Sequence, residues 1–409
     1  MADPGQKCPG FLLCFCQSCG KVGIEMVQAV EICAEQERTA KKRAEVRRLI
    51  RIKAGAGVLA VLMILLTAAG CQTGKEYTYY YYDYFDTFSS LTVYAPDETA
   101  AKRYDQIVRD YLSAYDALLD AFEPHEGVVS LYTVNEKAGT APVAVSEELY
   151  AFLEYGLAAY DKSGKTVNIA LGSVTALWQE QLNKNTEGGQ AESKPADGSS
   201  ETGSSEDSPS EADPAAEPQL PDPDALREAA RHTDPSDVVL DPAGHTVYFR
   251  DPQIRLDAGA LGKGYVCAKI EEALRAAGCR SALFSAGGNV MTIGTYPGLA
   301  GWNVGIRNPD PEAAEQVYTV WQVKDASVVT SGDYERYFMI GNTRYHHIID
   351  PETMYPGTRY HSVTVSCRDA AVADMLSTAL FLLPEEEGRA LAAEYDARVL
   401  YIYNDYSAG

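Results

Sequence analysis

From Tyr84 to Val93 apolar and polar residues alternate, which predicts a strand with one buried face. The period then lengthens. Tyr104, Ile107, Val108, Tyr111, Leu112, Tyr115, Leu118, Leu119 and Phe122 recur at helical spacing and predict a strong amphipathic helix. A second helix is predicted from a Ser146 cap through Leu149, Phe152, Leu153, Gly156 and Tyr160. Both stripes read as core faces rather than ligand-lining surfaces. Short strands follow at Val238–Leu240 and Thr246–Arg250, leading to Asp257 and a glycine-rich turn. A helix then runs to about Ala277, where Gly278 closes it. Strands are predicted at Ala282–Phe284, Trp302–Ile306, Val317–Val323 and Val328–Thr330. Tyr337–Ile340 and Tyr345–Ile349 flank Gly341-Asn342, a hairpin turn signal. Ser362–Ser366 is a further strand, and a helix starts near Asp369. Helices interspersed with antiparallel strands predict an α+β fold, one large domain with flanking helices.

Two stretches break this texture. Residues 183–224 are rich in Ser, Glu, Asp, Pro and Gly and nearly free of large apolar side chains, so they cannot offset their ordering entropy by burial. Folded sequence resumes on both sides, which predicts a disordered acidic insert within the domain. At the other end, Lys41, Lys42, Arg43, Arg47, Arg48, Arg51 and Lys53 form a basic run. The uncharged stretch Ala54–Gly70 and then Cys71 follow. A positive region, a short apolar run and small residues at a break are the layout of an export signal. The apolar run is short for a comfortable membrane span. Ala68-Ala69-Gly70-Cys71 is similar to a bacterial lipobox, with Ala68 where a Leu is usual, so Cys71 is expected to carry lipid; an uncleaved transmembrane anchor is the alternative. Either way the remainder is expected outside the cytoplasm, beginning with a polar, Tyr-rich tether over residues 72–83. Upstream, Cys8, Cys14, Cys16, Cys19 and Cys33 lack the paired spacing of a zinc site, and Met26 reads as nearer the true start. Cys267, Cys279 and Cys367 are too scattered for a disulfide framework and read as small core residues.

The chain of 409 residues has an ordinary apolar fraction, 46%, but a formal net charge of -23. That charge excludes a general nucleic-acid surface, which needs clustered Lys and Arg. It leaves room for a local phosphate site, where a lysine or a metal reverses the field.

Three clusters carry chemistry. In Arg255–Tyr265, small residues and Lys263 meet a helix N-terminus, where free amides and the helix dipole favour an anion. The spacing is not that of a P-loop. Asp374 and Thr378, four residues apart, share a helix face on or beside the stripe of Val372, Met375, Leu376, Ala379, Leu380 and Leu383. An inward carboxylate needs a partner or a cation, and carboxylate, hydroxyl and carbonyl oxygens suit magnesium. The third cluster is Thr330–Tyr337 with His346 and His347. Adjacent histidines on a strand point to opposite faces, which excludes a shared zinc but lets one of them touch phosphate or relay a proton.

The ordered set Leu256-Asp257-x-Gly259-Ala260-x-x-Lys263-Gly264, Gly287-Gly288-Asn289, Thr330–Tyr337, His347–Pro351 and Ala373-Asp374-x-x-Ser377-Thr378 resembles the FAD:protein FMN transferase family, also called ApbE. The similarity spans about Tyr84 to Tyr403 outside the acidic insert. It implies an extracytoplasmic enzyme using Mg2+ and FAD, which attaches FMN to a Thr or Ser hydroxyl of a membrane redox protein and releases AMP. It further implies magnesium held by the Ala260 carbonyl, Asp374 and Thr378, and FAD contacted by Lys263 and Ile349. Phe85-Asp86-Thr87 resembles the family's Met-Gly-Thr and puts Phe85 or Asp86 near the flavin. Ser130-Leu131-Tyr132 with Asn135 is similar to a segment lining the FAD site, one residue shorter between Ser and Asn. Val167–Gly172 resembles a further segment, with Asn168 in place of its Asp. A base is still needed, and His347 is the candidate. Water as nucleophile would make the protein an FAD pyrophosphatase. A non-enzymatic flavin-presenting lipoprotein is the alternative from another class, disfavoured by the retained Asp374/Thr378 pair.

Overall fold

The computed structural model describes residues 74–187 and 218–409. The expected export segment with Cys71, and most of the expected acidic insert, lie outside the described residues. The early strands are β1 (Lys75–Tyr84), β2 (Thr87–Ala95), β3 (Val143–Ala144), β4 (Val238–Asp241) and β5 (Thr246–Phe249). Those of the second half are β6 (Ala282–Ala286), β7 (Asn289–Ile293), β8 (Trp302–Arg307), β9 (Val317–Val323) and β10 (Ser327–Gly332). The remaining strands are β11 (Tyr337–Ile340), β12 (Thr343–His346), β13 (Tyr360–Cys367) and β14 (Arg398–Tyr403). The helices are α1 (Glu98–Leu119), α2 (Leu131–Lys137), α3 (Glu147–Lys162) and α4 (Gly172–Glu187), then α5 (Pro223–Ala229), α6 (Gly262–Ala276), α7 (Ala370–Leu382) and α8 (Glu385–Glu394).

A seven-stranded antiparallel sheet in the order β1-β2-β6-β7-β10-β13-β14 forms the centre. Period-two alternation divides its side chains between two faces. Leu91, Val93, Phe284, Met291, Val363 and Val365 enter the main core with α1, α3, α6 and α7. Val328, Leu283 and Val290 face the other way, against Val304, Ile306 and Trp321 of the β8–β9 ribbon. The helical stripe of α1 is buried at Tyr104, Val108, Leu112, Tyr115 and Leu119. Each such apolar side chain contributes about 1.5–3 kcal/mol relative to exposure. Asp97 caps α1 by accepting from the Ala100 amide at 2.8 Å, and Ser146 caps α3 by accepting from Leu149 at 3.2 Å. The α+β architecture is the one the sequence pattern predicts.

Of the Tyr-rich segment expected as a tether over residues 72–83, the part from Lys75 on is instead the edge strand β1. Its residues alternate: Tyr77, Tyr79 and Tyr81 turn inward while Thr78, Tyr80 and Tyr82 face out. Tyr81 is 2% exposed and donates its hydroxyl to Asp105 Oδ1 at 2.9 Å, so an aromatic body packs while its polar tip stays satisfied. The strand expected from Tyr84 is interrupted by the Phe85-Asp86 turn, both residues with positive φ.

The expected insert is also shorter at both edges. Asn183 to Glu187 continue α4, and Asp222 caps α5. Its two ends approach each other, since the Asn185 side-chain amide donates to the Gln219 carbonyl at 3.3 Å. A short Gly/Ser linker replacing residues 188–217 therefore spans the gap. We expect the shortened protein to keep its unfolding midpoint and its turnover, measured by thermal unfolding and by FAD consumption. Loss of either would show that the insert has a structural or binding role.

Candidate active site

The site is built where α6 and α7 cross. Gly264 is the third residue of α6, so its amide has no intrahelical acceptor, and it donates instead to Asp374 Oδ2 at 2.7 Å. The Ala260 carbonyl precedes the α6 N-cap and has no intrahelical partner. A Cβ on Gly264 would stand 2.2 Å from Asp374 Cβ and 2.6 Å from the Ala370 carbonyl oxygen, so only glycine permits this crossing. Asp374 is 6% exposed. Burial pushes its carboxyl above the usual range, while the Lys263 charge, the Gly264 amide and the Asn289 side chain pull the other way. Asn289 is itself buried, and its Oδ1 has no partner among the described residues. Thr378, half-buried, lies one turn on, with its Oγ1 3.5 Å from Ser331 Oγ; Ser331 also pairs with Ser377 at 2.9 Å.

These donors fit a hard cation. A buried carboxylate, a hydroxyl, an open carbonyl and an orphaned amide oxygen offer only oxygen ligands. No group of three or more His, Cys, Asp or Glu able to hold a metal occurs among the described residues. One carboxylate with neutral oxygens suits magnesium, which keeps waters and phosphate oxygens in its shell.

Lys263 stands at the first turn of α6, half-buried, and its charge reaches both Asp374 and His347. His347 follows β12. Its Nδ1 lies 3.3 Å from the Arg336 carbonyl and its amide donates to that carbonyl at 3.2 Å. An Nδ1–H donated to a carbonyl leaves Nε2 as the acceptor nitrogen. The residue is exposed. Desolvation by neighbouring protein, then the charges of His346, Lys263 and Arg336, lower its pKa from the ordinary histidine value, which favours the neutral ring at pH 7. His346 is different in kind. Its Nε2 contacts the Gly357 carbonyl at 2.7 Å and its Nδ1 accepts from the Ile348 amide at 3.2 Å, which occupies both nitrogens.

Lys263 thus stands within charge range of Asp374 and His347, with Thr378 one turn past Asp374 on α7 and Ala260 three residues before Lys263 in the chain. Other expected ligand contacts are placed differently. Leu131 is fully buried in the main core, and Ile349, 6% exposed, packs with Trp178 and Phe338 in a second cluster. Neither side chain is open to a ligand, because both serve packing. Asn168 uses its amide on the Thr233 carbonyl at 2.8 Å and its oxygen on the Ala170 amide at 2.9 Å. Ser130 is buried with an unpartnered hydroxyl, while Tyr132 is half-buried and donates its amide to the Asp120 carbonyl at 2.7 Å. Phe85 sits half-buried in the β1–β2 turn with its amide on Asp116 at 2.7 Å.

Three residues named within motifs have side-chain roles that only the fold shows. Asn135 brackets Leu256, donating to its carbonyl at 3.0 Å and accepting from its amide at 2.7 Å, and so fixes the strand that leads into the Lys263 turn. Asp257 accepts from Gly259 at 2.8 Å and from Thr175 of α4 at 2.6 Å. Asn289 belongs to a recognised Gly-Gly-Asn run, but only the fold shows its side chain at Asp374.

A family model described as the ApbE family matches residues 85–402. A Treponema pallidum protein named FAD:protein FMN transferase is 36% identical over 291 residues, covering 68% of this chain and 71% of that protein. A Klebsiella pneumoniae protein of the same name is 29% identical over 314 residues, covering 76% and 84%. Among solved structures, an ApbE protein from Thermotoga maritima aligns with a TM-score of 0.66 at 23% identity, covering 82% of this chain and 96% of that one.

Gly264→Ala should lower stability by about 1–3 kcal/mol through overpacking. It should also weaken divalent-cation binding, because the new methyl displaces Asp374. Urea unfolding and magnesium titration measure the two effects, and wild-type values in both would contradict the described crossing.

Proposed function

The chain belongs to the ApbE family and is a flavin transferase, and we propose that it moves FMN from FAD to a Thr or Ser hydroxyl of a partner protein with magnesium held by Asp374, Thr378 and the Ala260 carbonyl. One observation carries the reading: the Lys263 charge is shared between a buried carboxylate in an oxygen-lined site and a neutral histidine. Cleaving a diphosphate requires charge neutralised on the phosphates and a nucleophile held in line. Bound magnesium supplies electrostatic stabilisation of the phosphate oxygens. Lys263 binds the same anionic group from the α6 N-terminus, where the helix dipole adds to its charge. His347 takes the hydroxyl proton at Nε2 while its Nδ1 side stays on the Arg336 carbonyl. The hydroxyl oxygen then bonds to the FMN phosphorus, and the phosphorus–oxygen bond to AMP breaks.

AMP release from FAD, followed with and without magnesium, tests this. Asp374→Ala should remove the magnesium-dependent part. His347→Gln should reduce turnover about 10²–10⁴-fold, the usual contribution of general base catalysis. Near-normal turnover in Asp374→Ala would sink the metal assignment. AMP release that continues at full rate without any protein gaining FMN, with co-expressed membrane redox proteins surveyed by mass spectrometry, would favour FAD hydrolysis.

We also propose that the enzyme is held outside the cytoplasm by lipid on Cys71, on the strength of the basic run, the apolar stretch and the small residues before that cysteine. Cys71→Ser should leave the longer, unlipidated precursor. A variant processed and lipidated like the original would replace the lipid anchor with a transmembrane one.

A further inference from the structure

The Thr330–Tyr337 run contributes more than a strand end. Directly after β10 comes Asp333, 8% exposed, whose carboxylate binds two side chains from different places. Oδ1 accepts from Arg344 Nη1 at 2.6 Å, and Oδ2 lies 2.8 Å from His361 Nδ1. The Asp333 amide also donates to the His361 carbonyl at 3.0 Å. His361, the second residue of β13 at a shift in its register, stacks on Tyr406, with centroids 4.4 Å apart. Arg344 belongs to β12 and lies over the Tyr337 ring at 4.6 Å. The β11–β12 hairpin is a two-stranded ribbon outside the seven-stranded sheet. Its Phe338 and Tyr345 side chains pack toward Trp178. Among the ion pairs of the described residues, Arg344–Asp333 is the one that joins a β12 side chain to the end of β10.

What lies on either side of this joint gives it meaning. Two residues before Asp333, Ser331 touches Ser377 and Thr378 on the metal-facing helix. Three residues after Arg344, His347 leaves the ribbon on the Arg336 carbonyl. We propose that Asp333 is a positioning residue that sets His347 against the α7 oxygen site by latching the β11–β12 ribbon to the end of β10. Arg344 is its partner through one Nη1 hydrogen bond, and its planar guanidinium also lies over the Tyr337 ring, which an ammonium would not reproduce. Misplacement of a reacting group by about 1 Å costs on the order of a hundredfold in rate. This proposal takes from the functional reading only that His347 moves the proton.

Asp333→Asn keeps shape and one hydrogen bond but removes the charge. We expect kcat for AMP release to fall about 10–100-fold, with KM for FAD and the unfolding midpoint little changed. Arg344→Lys, which keeps the charge and loses the planar guanidinium over Tyr337, should reproduce the kcat loss and guards against misfolding of the first variant. Adding Asp333→Asn to His347→Gln should cost nothing further, since latch and base act as one unit. Ring signals of carbon-13-labelled histidine report on the latch itself, and the chain has only six histidines to assign. The His347 signal should shift or broaden in both single variants. An unchanged His347 signal would overturn the proposal whatever the activity does. So would a loss that adds in full to that of His347→Gln. A fully active His347→Gln with a His347 signal that still moves in Asp333→Asn would instead overturn the base assignment and leave the latch standing.

Discussion

The hydrogen bond from the Gly264 amide to Asp374 decides how this molecule can be assembled. A carboxylate taken out of water costs several kcal/mol unless donors or a cation replace its hydration. Asp374 receives one backbone amide, the side chain of Asn289 and the field of Lys263, yet burial still dominates its titration. The fold therefore commits an internal position to a charge that it satisfies only in part. Meeting that commitment requires α6 and α7 to cross at a glycine, whose amide is one of those at the α6 start without an intrahelical acceptor. One contact thus sets the helix spacing, satisfies an orphan amide and leaves the position short of positive charge.

The surrounding structure keeps that crossing in place. Tyr265, one residue past Gly264, meets Tyr115, Phe152 and Tyr155 at ring distances of 5.2–6.1 Å, so α1 and α3 both brace the start of α6. Tyr155 in turn donates its hydroxyl to the Ala371 carbonyl at 2.8 Å, tying α3 to the first turn of α7. The turn between Arg255 and Lys263 lies outside the main sheet. Side chains take the place of strand neighbours there: Asn135 pairs with Leu256 as a strand would, and Thr175 holds Asp257. Loops carry much of protein chemistry because a rigid scaffold can position them, and here the positioning is done by amide and hydroxyl groups aimed at backbone.

Legibility in the sequence followed the range of each interaction. The α1 and α3 stripes, the Ser146 cap and the Gly278 stop are local, and the predicted elements agree with the observed ones within a few residues. The Gly341-Asn342 turn gave the β11–β12 ribbon for the same reason. Edge strand β1 was hidden because a Tyr run looks polar when read alone, and only pairing with β2 shows which rings turn inward. β7 was hidden because it is short and follows β6 through a tight Gly-Gly turn, and β14 because its partner β13 lies well back in the chain. Of the candidate site, the shared helix face of Asp374 and Thr378 was legible from helical spacing. The core-facing side chains of Leu131 and Ile349 were not, because a motif marks a segment and not the direction of each side chain. Asn135 and Asp333 act across long sequence separations, which periodicity does not register.

The charge of the whole chain makes the local arrangement more demanding. At -23 overall, the protein repels an anionic nucleotide at long range, and screening reduces this only beyond about 8–10 Å. Affinity for a diphosphate must then come from within the site, where water is partly excluded and each charge counts for more. On the proposed function, Lys263 at a helix N-terminus supplies part of this and a cation in the oxygen site on α7 supplies the rest. Desolvation first, and then the charges of His346, Lys263 and Arg336, lower the pKa of His347, so the positive field that favours an anion also disfavours the imidazolium.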